Sequence, residues 1–209
     1  VRKTLLAHAA AHLQNADPVL AQVVERIGLP RLRRERDAWR ALSSSIIGQQ
    51  VSVHAARAIR GRFAAIVPER DFPLPADIGS TPDEVLRGAG LSGNKILAIR
   101  DLARHFEEGK INARKFAKME DEQIIAALIP IRGIGRWTAE MFLIFSLGRA
   151  DVLAVDDLGL RNAMKKLYDL TEVPKPTTMR EIAAPWQPFR SVASWYLWRS
   201  LDNEPKVES

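Results

Sequence analysis

No cysteine occurs in the 209 residues. That removes disulfides, a thiol nucleophile, an iron–sulfur cluster and any cysteine-based zinc site together. Histidine is scarce at four residues; His8 and His12 share a helical face at i and i+4, but no carboxylate motif accompanies them and they read as surface residues. No apolar run approaches membrane-spanning length, so no membrane association is expected. The Ala/Leu-rich opening from Val1 to Leu13 is interrupted by histidines and a glutamine, and reads as a first helix rather than a signal peptide. Runs of alternating strand residues, long linkers and low-complexity tracts are also missing, which points to an all-α fold without independent domains.

What is present is a moderately basic, well-packed composition. Lys and Arg number 31 against 25 Asp and Glu, a net charge of +6, and 46% of residues are hydrophobic. The charge balance favours an anionic partner without specifying one. Helices are expected over Ala38–Ile47, over a stripe from Val51 to Ile66, and over Ile96–Phe106. Shorter ones are expected at 113–118 and 121–128, then at 158–168 and about 188–201. Pro68, Pro73 and Pro75 read as a loop, and Pro174 and Pro176 as a break. Thr81 and Thr178 head two apparent capping boxes.

The most informative segment is Leu128-Ile-Pro-Ile-Arg-Gly133-Ile134-Gly135-Arg136-Trp137-Thr138-Ala139. Two glycines one residue apart permit positive φ and close approach of a ligand, and a helix starting there directs its first N–H groups outward. Such a turn suits a phosphate, flanked by Arg132 and Arg136, with Ile134 plugging it into the core. A bare α-α corner would need the same glycines. The whole string, however, resembles the hairpin of the helix-hairpin-helix DNA glycosylase superfamily. This implies one glycosylase domain over 1–209 made of two helical lobes with a cleft between them. The hairpin falls at about 128–139 and a catalytic aspartate loop at about 150–158.

The superfamily keeps an essential aspartate shortly after the hairpin's second helix, where this chain has Val155-Asp156-Asp157-Leu158-Gly159. A carboxylate there can stabilise the positive charge that builds on the sugar as the glycosidic bond breaks, and can orient water. The Asp-Leu-Gly pattern is similar to the 3-methyladenine DNA glycosylase II branch and favours Asp157. An endonuclease-III-like alignment favours Asp156 instead, and either residue could merely cap a helix. Bifunctional members carry a lysine where this chain has Trp137, so the resemblance implies a monofunctional hydrolase that leaves an abasic site. It also implies a base pocket with Trp137 and Trp198, suited to a cationic alkylated purine. Met141 and Leu158 stand there in place of two tyrosines of a better-known member.

Ser45-Ile-Ile-Gly-Gln49-Gln50-Val-Ser52 resembles the segment that fills the gap left by a flipped base, with Gln50 as the plug and Gln49 holding the loop. Lys95, in Gly90-Leu-Ser-Gly-Asn-Lys95, reads as a phosphate contact. With Gly133, Ile134, Gly135, Arg136 and Thr138, these form the expected DNA-binding set. The partner implied is double-stranded DNA with a damaged base, met by a monomer without cofactor, in bacterial cytoplasm or a eukaryotic nucleus. In relatives a cation can sit on the hairpin carbonyls. Competing readings are a glycosylase for uracil, hypoxanthine or an oxidised base, and a DNA-binding module without chemistry.

Overall fold

A computed structural model describes residues 3–202, and every regular element among them is helical. The first half carries α1 (Lys3–Ala16), α2 (Pro18–Ile27), α3 (Ala38–Gly48), α4 (Val53–Ala64), α5 (Pro75–Ser80), α6 (Asp83–Gly88) and α7 (Gly93–Glu107). There follow α8 (Ala113–Phe116), α9 (Asp121–Leu128), α10 (Arg136–Phe142), α11 (Leu158–Leu167), α12 (Pro176–Ile182) and α13 (Arg190–Asp202). A π-helical turn, Leu143–Leu147, continues α10, and a single 3₁₀ turn, Ala184–Trp186, precedes α13.

The chain forms two units. One is the continuous segment Glu35–Phe142; the other combines the residues up to Arg34 with those from Leu143 onward. In the continuous unit α3 packs against α4, α7 and α10, with Trp39, Leu42, Ile46 and Ile47 of α3 buried among Ile59, Phe63, Ile96, Ile99 and Leu102. Each such side chain contributes about 1.5–3 kcal/mol by leaving water. Trp39 also satisfies its one polar group, its Nε1 donating to the Pro73 carbonyl at 2.7 Å, and stands edge-on to Phe106.

The other unit is built around α13, which packs on α2 and α11. Its polar anchor is Asp17 between α1 and α2. Oδ1 caps α2 by accepting from Val19 and Leu20 N–H, and Oδ2 accepts from the Tyr168 hydroxyl and the Trp186 indole. The Asp17-Pro18 start of a second helix is a cap-plus-proline signal that the Ala/Leu-rich opening obscured. His8 and His12 stack edge-on against Phe189, and among the described residues no cluster suited to a metal occurs.

Three local expectations need correction. Pro75 and Pro176 begin helices instead of only breaking them, because proline is preorganised for the first helical turn and has no N–H to lose there. Thr81 does not cap α6; it closes α5, and its hydroxyl donates to the Asp77 carbonyl at 2.7 Å, four residues back. Thr178 lies inside α12, whose N-cap is Lys175, so the second capping box does not form.

Candidate active site

The hairpin lies in the continuous unit. Leu128 ends α9, Ile131 N–H turns back to the Leu128 carbonyl, and Ile134 N–H returns to Ile131 at 3.0 Å before Arg136 opens α10. Gly133 is required: its φ is +78°, and a Cβ there would lie 3.0 Å from that of Ala98. Gly135, contrary to expectation, has no positive φ. A Cβ on it would meet nothing within 4 Å, so this glycine keeps the outer face of the turn bare. Ile134 is buried and anchors the turn from below.

Two further groups brace this loop. Asp101 of α7 accepts Arg132 N–H at 2.8 Å, a contact between residues 31 apart that no sequence pattern announces. Burial tends to raise the Asp101 pKa, but the Arg132 N–H, the Arg104 guanidinium and His105 outweigh it and hold the carboxyl below its usual value. Gln49 donates to the Gly133 carbonyl at 2.8 Å and to the Thr138 hydroxyl at 3.3 Å, so it ties the end of α3 to the hairpin. Thr138 itself is buried.

Lys95 has a different role from the expected phosphate contact. Its Nζ donates to the carbonyls of Ile47 and Gln49 at 2.7 and 2.8 Å, where α3 ends and its last carbonyls lack partners. Desolvation there lowers its pKa. The clamp sits beside Gln50, which is exposed and held at φ +55°, a left-handed conformation uncommon outside glycine. Arg136 is likewise engaged: it pairs with Glu122, and with Glu140 at 3.1 Å. The Glu122 pairing, ahead of the smaller cost of burial, raises its pKa. Trp137 is 40% exposed and Met141 half-buried on the same helix.

The aspartate loop belongs to the other unit. It leaves the π turn at Gly148, whose φ is +71°, and is pinned to α13 at two points. The Ser191 hydroxyl accepts Val152 N–H at 2.9 Å, and Arg190 pairs with Asp151 at 2.7 Å. The loop then delivers Asp157, 8% exposed, as the N-cap of α11. Its Oδ1 accepts two hydrogen bonds, from Leu160 N–H at 2.7 Å and from the Trp198 indole N–H at 3.0 Å. The indole lies against Phe145, centroids 5.7 Å apart. Asp156 and Leu158 are exposed. Of the residues singled out in the sequence, the fold thus joins Asp157 with Trp198 in one unit, and Gln49 with Gly133 and Thr138 in the other.

Comparison with known proteins bears on the family and the fold. The family model described as the HhH-GPD superfamily of base excision DNA repair proteins matches residues 43–188. DNA-3-methyladenine glycosylase 1 of Schizosaccharomyces pombe is 35% identical over 201 residues, spanning 94% of this chain and 88% of that protein. A solved structure of 3-methyladenine DNA glycosylase from the same yeast, in complex with abasic DNA, superposes with a TM-score of 0.86. It is 33% identical and covers 93% of this chain and 97% of its own. A DNA-3-methyladenine glycosidase structure from Bacillus halodurans gives a TM-score of 0.83 at 36% identity, covering 93% and 89%.

Proposed function

Because the chain belongs to the HhH-GPD superfamily of base excision DNA repair proteins, we propose that it excises 3-methyladenine and related alkylated purines from duplex DNA, with Asp157 as the catalytic carboxylate. The observation that carries the assignment is the buried Asp157 side chain, fixed by Leu160 N–H and the Trp198 indole, beside an exposed Asp156. A group that must meet a developing charge works best when held in place before the reaction.

In the proposed reaction the bond between C1′ and the base nitrogen breaks heterolytically, and the base leaves with the electron pair. An alkylated purine is already cationic, so it departs neutral and needs no protonation. One carboxylate then suffices, where ordinary glycoside hydrolysis uses two. Asp157 stabilises the oxocarbenium-like sugar, and water adds to C1′ as its proton passes to the carboxylate or to solvent. Trp137 has no amine to form an imine, so the product is an abasic site and the strand stays intact. Trp198, bonded to Asp157, is our assignment for contact with the extruded base. Gln50 is our assignment for the plug, and the backbone around Gly133 and Gly135 for the phosphates.

A hard cation fits the hairpin as well. The Ile131 and Gly133 carbonyls each accept one hydrogen bond and each retain a second lone pair. Such an ion would supply positive charge against a phosphate.

The test is release of free base from methylated duplex DNA by the wild type and by Asp157→Asn, with abasic-DNA binding followed in parallel. The variant should bind normally and release base at least about a hundredfold more slowly. Undiminished release by the variant would remove Asp157 from the chemistry; binding without release by the wild type would leave a DNA-binding module. Met141 and Leu158 supply no aromatic face of their own, which favours a second reading in which neutral lesions are also taken. Competition between methylated and deaminated duplexes separates the two.

A further inference from the structure

The geometry points to Gly159 as a positioning residue: its missing side chain lets the Trp198 indole reach and hold the Asp157 carboxylate. This rests on Asp157 being the catalytic group.

Gly159 sits in the first turn of α11, and no backbone requirement explains it, since its φ is not in the left-handed region. Glycine is among the poorest helix formers. What the position does demand is space. A Cβ at residue 159 would lie 3.0 Å from Asp157 Oδ1, 3.3 Å from Trp198 Cδ1 and 3.5 Å from Trp198 Nε1. The first two distances are tighter than van der Waals contact allows, so one neighbour must move.

The carboxylate is the less free to yield. Its Oδ1 is bound to Leu160 N–H at 2.7 Å, and the Asp157 N–H is bound to the Ala154 carbonyl at 3.0 Å. The indole, held by its contact with Phe145 and by the 3.0 Å bond itself, is the group that would be displaced. A shift of a few tenths of an ångström takes that bond toward the 3.5 Å limit, where little of a hydrogen bond remains. By contrast, a Cβ on Gly61 of α4 or Gly88 of α6 would meet nothing within 4 Å. Those two helical glycines carry no comparable constraint.

The test is a double-mutant cycle on base release from methylated duplex under saturating enzyme and as a function of substrate. Gly159→Ala should lower kcat about tenfold, the worth of one hydrogen bond to a charged group. KM should stay within twofold and the melting temperature should move by only a few degrees, since the helix propensity of alanine offsets part of the crowding. The Trp198 indole N–H resonance should move upfield as its hydrogen bond lengthens. Trp198→Phe removes the same bond, so adding Gly159→Ala to it should lower kcat by less than a further twofold. Gly61→Ala, placed in open space, should match the wild type.

A Gly159→Ala enzyme with kcat within twofold of the wild type would overturn the proposal, as would effects that multiply fully in the double variant. Asp157→Asn tells the two levels apart. Base release abolished in that variant but intact in Gly159→Ala defeats the positioning role alone; release intact in Asp157→Asn defeats the catalytic reading and the positioning role with it.

Discussion

Replacing Asp17 by alanine should be as damaging as emptying a core position, although the residue lies outside the proposed active site. The side chain is 6% exposed and accepts four hydrogen bonds: Val19 N–H at 2.8 Å, Leu20 N–H at 3.1 Å, the Tyr168 hydroxyl at 2.5 Å and the Trp186 indole at 2.7 Å. Loss of the helix cap costs about 1 kcal/mol. Each bond from a buried donor to the carboxylate adds about 1.5–3 kcal/mol, because removing the acceptor strands a hydroxyl and an indole N–H away from water. These terms share one side chain and do not sum freely, so about 3–5 kcal/mol is expected for Asp17→Ala. For a chain of this length each kcal/mol moves the melting temperature by about 2–4 °C, which gives a fall of roughly 6–20 °C. Asp17→Asn keeps one acceptor oxygen and should lose about half as much. Tyr168→Phe, which deletes one donor and keeps the ring, should lose less than either, whereas Trp186→Phe deletes a donor and also opens a cavity in the core, and should lose more than Tyr168→Phe. Thermal melts by circular dichroism, repeated with guanidinium, measure all four. A shift below about 2 °C for Asp17→Ala would refute the reasoning.

Lys95→Met should weaken DNA binding without changing its salt dependence, because a clamp on the Ile47 and Gln49 carbonyls neutralises no phosphate; a phosphate contact would reduce the slope of log K against log salt by about 1. Gln50→Gly should relieve the left-handed backbone at that residue and raise stability by up to about 1 kcal/mol, yet reduce affinity for abasic duplex about tenfold if the amide fills the gap in the stack. Asp101→Asn should alter the acid limb of the stability curve. The carboxyl's lowered pKa means its contribution is complete above the usual aspartate value of about 3.9 and is lost as pH falls through the lower folded value, so wild type and variant should converge in strong acid.

Much of this was legible in the residues because it depends on local rules. Spacing of apolar positions located α3, α9 and α11 to within a residue, and α7 to within three, its polar first turn from Gly93 to Lys95 carrying no apolar stripe. The Gly133-Ile134-Gly135 string marked a turn whose plug is indeed buried. A capping signal misleads where one helix ends just before the next begins: Thr81 has the residue type of an N-cap for α6, but α5 ends one residue earlier and its Asp77 carbonyl takes the hydroxyl. Most long-range polar contacts left no trace. Nothing around Asp101 distinguishes it from a solvated acid on a helix, nor Lys95 from a solvated base, until the chain returns to place Arg132 N–H or the end of α3 against them. Gly159 carried a weak signal, a poor helix former just inside a helix, whose reason lies 39 residues downstream in Trp198.

The discontinuous unit also sets a schedule for biosynthesis. Its first helices, α1 and α2, leave the ribosome long before Tyr168 and Trp186, the two side chains that satisfy the far oxygen of Asp17. At about 5–20 residues per second, roughly ten to thirty seconds pass between completing α2 and adding Trp186. Throughout that interval Leu6, Leu13, Leu20 and Val23 have no finished core to enter. The segment Glu35–Phe142, contiguous in sequence, can close its own core meanwhile. A nascent chain stalled anywhere before residue 186 therefore offers a sticky helical pair to chaperones and proteases, so codon choice and translation speed across the middle of the gene become determinants of yield.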